Sequence, residues 1–159
     1  MIHAPLIALA LAGAPAGVAP APIQVDADEV HYQYKEHKVL FVGKPLVRLT
    51  REDAVLTCRK LVAENDEQGR LQKAVCTGDV RLVRGDRTVT CERATFEERA
   101  NRVVCTGSPE LRDGQTVMRG EELVYDLGED KATLTGAKGT VVPKPGEDPV
   151  PRRKKEASK

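Results

Sequence analysis

The chain has no tryptophan, two phenylalanines and three tyrosines, so aromatics make up only 3% of its 159 residues. That scarcity excludes a core filled by large rings and leaves no row of exposed platforms for sugar stacking. Histidine is also scarce, and neither His31 nor His37 has a cysteine or histidine at metal-ligand spacing. Ser108 and Ser158 lack the histidine and acid that would activate them. The glycines follow no phosphate-loop pattern, and the acidic residues fall outward, away from any catalytic pair. No enzyme activity, metal or cofactor is expected, and no nucleic-acid partner.

Residues 1–21 contain no Lys, Arg, Asp or Glu. Leu6–Ala12 is an apolar run of signal-peptide length, too short to span a membrane, and Ala14-Pro15-Ala16 supplies an A-x-A cleavage site. The expectation is a signal peptide over 1–21, a folded body over 22–142 and a disordered, proline-rich basic tail over 143–159. Six Lys/Arg against three acids give that tail a charge of +3, beside a net charge of +1 for the whole chain. A solubilising role and attraction to anionic groups are both open to it.

What the body does have is a repeat, centred on Cys91–Gly120. One landmark is a small residue, two charged residues and an apolar one, beginning at Ala27, Cys58, Cys91 and Gly120. The other is a glycine closing an apolar run: Gly43, Gly78, Gly107 and Gly136. Apolar residues alternate between the landmarks, the period of a half-buried strand. Val25, Val30, Tyr32, Val39, Leu61, Ala63 and Ala74 fall inward in the early repeats. Phe41, Val80, Leu82, Val89, Phe96, Val103, Leu111, Met118 and Leu123 fall inward as a strip through consecutive layers. At the first landmark the inward step is 3 instead of 2, which requires a bend or bulge.

Turn signals such as Asp113-Gly114 and Arg84-Gly85-Asp86 separate the runs. Each half-repeat therefore reads as strand, corner, strand, then a hairpin to the next layer. The predicted fold is all-β: a stacked antiparallel β-jelly-roll of about 15–16 short strands in eight layers, with two sheets facing each other and open ends. Eight layers at the usual strand spacing make a stack of about 40 Å. Few large side chains are available to fill it. The interior is either a thin core or a groove that a ligand completes.

All four cysteines fall inward. Cys58 and Cys76 are equidistant from Glu67, and Cys91 and Cys105 from Glu98. Facing pairs on adjacent layers suit disulfides Cys58–Cys76 and Cys91–Cys105. Small buried hydrophobes are the alternative role.

The segments VDADEVHY (25–32), LFVGKPLV (40–47), LQKAVCTGDVRL (71–82), VVCTGSPEL (103–111) and VMRGEELVYD (117–126) together resemble the lipopolysaccharide-transport periplasmic protein family (LptA/OstA-like, also described as the organic solvent tolerance-like N-terminal domain). The resemblance covers 23–142. It implies a periplasmic transport protein whose interior groove, here the strip from Phe41 to Leu123, holds the acyl chains of lipopolysaccharide or a related glycolipid. It also implies inner- and outer-membrane partners sharing the fold, and a head-to-tail homo-oligomer that bridges the membranes by β-strand addition. The four cysteines and the basic tail depart from the family pattern. The competing reading is a self-polymerising β-solenoid scaffold, bactofilin-like, which predicts a dry, filled core and even rungs.

Overall fold

The computed structural model describes residues 21–143 and residue 145. The expected signal peptide and nearly all of the expected tail lie outside them. The described residues form twelve strands and one short 3-10 turn, Tyr34–Glu36. The first four strands are β1 (Gln24–Asp26), β2 (Glu29–Gln33), β3 (Lys38–Arg51) and β4 (Ala54–Asn65). They are followed by β5 (Leu71–Arg84), β6 (Arg87–Glu97), β7 (Arg102–Thr106) and β8 (Glu110–Asp113). The last four are β9 (Thr116–Arg119), β10 (Glu122–Asp126), β11 (Lys131–Thr135) and β12 (Lys138–Thr140).

All pairings are antiparallel and belong to one 12-stranded sheet. The sheet is folded along a corner. One half runs β2, β3, β4, β5, β6, β7, β10, β11; the other runs β1, β3, β4, β5, β6, β8, β9, β12. Strands β3 to β6 pass through the corner and serve both halves. The expected 15–16 short strands are thus twelve, because four of them continue where the sequence suggested a break. The two expected sheets are likewise one sheet, bent.

The bend has a local cause. Between β4 and β5 the register jumps from Thr57↔Arg81 to Lys60↔Thr77, leaving Cys58-Arg59 opposite Gly78-Asp79-Val80. Gly78 and Asp79 both take left-handed backbone angles, φ 80° and 48°. A strand cannot continue straight through two such residues, and glycine at the first removes the Cβ penalty. Gly107 and Ser108 repeat the device with φ 79° and 50°.

Across the slip the buried parity changes as its step of 3 requires: Leu56 and Cys58, then Leu61 and Ala63; Val89 and Cys91, then Ala94 and Phe96. All of these but Ala63 meet between the halves in one core with Val47, Val80, Leu82, Val103, Leu123 and Tyr125. Each fully buried Val, Leu or Phe stabilises the fold by about 1.5–3 kcal/mol. The first layer differs. Val30 and Tyr32, expected inward, are 41% and 60% exposed, because β2 is the end strand and no later layer covers it.

Candidate functional site

The interior has two regimes. Toward β1 and β2 the halves stand apart and enclose a cavity of about 1040 Å³. One wall is Ile23, Val25 and Leu49; the other includes Tyr32, Val39, Phe41, Leu61 and Ala63. Its rim is polar, formed by the β4–β5 turn from Asn65 to Gln72 and by Glu98 and Arg99. Small inward residues, Ala63 and Ala74, help keep this space empty. Further along the stack the halves close on each other. Val80, Leu82, Val89, Phe96, Val103 and Leu123 are each 2% exposed or less. Leu111 and Met118, paired across β8 and β9, are half-buried.

Of the nine strip residues, Phe41 alone lines the large cavity. Leu82, Phe96 and Val103 line a second void of only about 20 Å³. Eight of the nine lie in or against one core cluster, Met118 being outside it, and most of that core is filled.

The mouth between the halves is bridged by arginines. Arg51, the last residue of β3, donates two hydrogen bonds to Glu98 in the β6–β7 turn, at 2.8 and 3.3 Å. Its guanidinium lies 5.6 Å from the centre of the Phe96 ring. Arg84, the last residue of β5, donates to the Leu127 carbonyl at 2.7 Å. Arg87 pairs with Asp130 at 2.6 Å, and the Tyr125 hydroxyl donates to the same carboxylate at 2.6 Å. Burial, and then the Asp130 carboxylate, push the Tyr125 phenol up to about 12. The Arg87 and Tyr125 hydrogen bonds hold Asp130 below the ordinary carboxylate range.

The cysteines sit at the corner, opposite the mouth. Cys58 and Cys76 are joined in a disulfide with Cα atoms 5.7 Å apart. They are not directly opposed in the ladder: Cys76 pairs with Leu61, and Cys58 reaches it across the register jump. Cys91 and Cys105, one repeat later, are buried free thiols hydrogen-bonded to each other. The Cys105 donor lowers the Cys91 thiol's pKa, while the same contact and burial raise that of Cys105. Among the described residues no group of three His, Cys, Asp or Glu side chains could hold a metal ion. No described helix is long and apolar enough to cross a membrane.

Residues 24–131 match the model of the LptA/(LptD N-terminal domain) LPS transport protein family, more than half of the chain. The chain belongs to that family. Among solved structures, the fold is shared with LptH of Pseudomonas aeruginosa, titled the LptA homologous periplasmic component of the conserved lipopolysaccharide transport device. The TM-score is 0.67 at 16% identity, over 77% of this chain and 96% of LptH. No curated protein matches in sequence.

The alternation placed Val25, Tyr32, Val39, Leu61, Ala63 and Ala74 on the inward face but did not single them out as the chamber. The bridging residues Arg51, Glu98, Arg84 and Asp130 were missed. They fall at strand ends and turns, where charge is ordinary in a sequence.

Proposed function

We propose that this LptA-like protein is a periplasmic, non-enzymatic carrier that shields the acyl chains of lipopolysaccharide or a related glycolipid and hands them along between the membranes. The observation that supports this best is the apolar-walled cavity of about 1040 Å³ at the β1–β2 end of the stack. Hydrocarbon in water costs about 0.8 kcal/mol per methylene, so even one acyl chain of about a dozen methylenes gains roughly 10 kcal/mol by entering such a space. An open chamber needs no tight fit, which lets a chain slide.

The ends of the stack support assembly. Strands β1 and β2 at one end, and β11 and β12 at the other, are each paired on one side only. Val30 and Tyr32 stand exposed at the first end, and Val141 and Val142 at the second. Such edges accept strand addition from another copy or from inner- and outer-membrane partners sharing the fold. Head-to-tail joining would set the chamber end of one copy against the β11–β12 end of the next.

The test is photo-crosslinking to glycolipid in the native envelope, from a photoreactive residue at Phe41 and from one at the exposed Arg48 on the same strand. Labelling from Phe41 with none from Arg48 is the expected result. Equal labelling from both faces, or none from Phe41, rejects the carrier reading.

In an oxidising periplasm we also expect Cys91 and Cys105 to close a second disulfide, losing two hydrogens to a disulfide oxidant. Non-reducing peptide mapping should then recover Cys58–Cys76 and Cys91–Cys105 peptides. A Cys58–Cys105 peptide would contradict the layer order.

A further inference from the structure

Two voids lie end to end between the halves, and one ion pair stands between them. Leu49 and Glu98 are among the residues lining the large cavity. The small one is lined by the same Leu49 together with Arg51, Phe96, Leu82, Val103 and Leu127. Leu49 is common to both, and the Arg51–Glu98 pair crosses the gap beside it. Arg51 is 11% exposed and Glu98 25%.

A hydrophobic contact would seal this junction at least as well, because desolvating two charges offsets much of their attraction. A charged pair differs from an apolar seal in one respect: it can reopen. Both side chains sit at the mouth, Arg51 at the end of its strand and Glu98 in a turn. Either can swing to water without breaking a ladder hydrogen bond.

The device recurs one repeat later. Arg84 ends β5 as Arg51 ends β3, and it crosses the mouth to Leu127. Thus both 14-residue strands end on an arginine that crosses to the other half. Neither arginine belongs to the apolar strip, and the fold of the ladder requires neither.

We propose that the Arg51–Glu98 pair is an openable clasp that forms the inner wall of the chamber and sets how far a hydrocarbon chain reaches along the strip. Opening it joins the two voids and frees the halves to part, which admits the chain toward Leu82 and Val103. Arg84 with Leu127 is the next clasp in the series. The inference rests on the carrier reading above and adds the residues that limit chain length.

The experiment is calorimetric titration of the full chain with lysophosphatidylglycerols of increasing acyl length, each below its micellar concentration. Affinity of the unmodified protein should rise about fourfold per methylene and then level off where the chain end meets the clasp. In Arg51→Ala the levelling should move to longer chains. Because that variant leaves Glu98 without its partner, Arg51→Met combined with Glu98→Gln provides a second clasp-free protein, and melting curves verify that both are folded. An unchanged levelling point in the folded variants overturns the clasp alone, as does an unmodified protein whose affinity never levels. No binding at any length overturns the carrier reading, and the clasp with it.

Discussion

Phe41→Asp should abolish acyl-chain binding in a protein that still folds. Phe41 lies on β3 and faces the open chamber, half-buried instead of sealed. Its strand is held on both sides, by β2 and by β4, and those ladders do not depend on its side chain. In the empty protein a carboxylate at this position meets water within the chamber, so it keeps most of its hydration. In the loaded protein it would face hydrocarbon. Burying a polar group without a partner costs about 2–7 kcal/mol, and each 1.4 kcal/mol is about tenfold in affinity. A loss of roughly 30-fold or more follows. Arg48→Gln, an outward change on the same strand, should bind as the unmodified protein does. Titration with a monoacyl lipid measures both, beside thermal melts. Near-normal binding by Phe41→Asp would place the ligand elsewhere.

The repeat, the strand alternation and the slip at the corner were all legible in the sequence, since each follows from period and spacing. Cys58 with Leu61, and Cys91 with Ala94, show why: a step of 3 between inward residues has one structural meaning. The continuity of β3 to β6 was not legible. A left-handed pair such as Gly78-Asp79 bends a strand without ending it, and glycine after an apolar run reads equally as a turn.

The width of the interior was hidden for a different reason. Alternation tells which way Phe41 and Leu82 point, and gives both the same standing. Whether the halves close depends on what stands opposite. Around Phe41 the neighbours include Ala63 and Ala74, and the halves stay apart. Around Leu82 stand Phe96 and Val103, and they meet. The arginine bridges were hidden because their partners lie far along the chain, 47 residues apart for Arg51 and Glu98. No short-range pattern records such a pairing.

Leu82→Asp should therefore behave unlike Phe41→Asp, although both residues lie on the same apolar strip. Leu82 is 2% exposed and lies on β5 between Leu56 and Val89 in the ladder. Phe96 and Val103 face it across a void of about 20 Å³, too little space to hydrate a carboxylate. The neighbouring bridges belong to other groups: Arg51 is committed to Glu98, and Arg84 to Leu127 and Asp53. An aspartate there must either stay protonated or force the halves open. Losing the leucine alone costs about 2–5 kcal/mol, and the unpaired polar group adds several more. That sum is comparable with the whole stability of a domain this size, about 5–15 kcal/mol. The expected result is loss of the cooperative melt, with Arg81→Asp, the exposed neighbour on β5, melting close to the unmodified protein. Circular dichroism against temperature measures it. If Leu82→Asp melts cooperatively within a few degrees of the parent, the halves are already apart at Leu82 in solution. The chamber would then extend past the clasp without any gate.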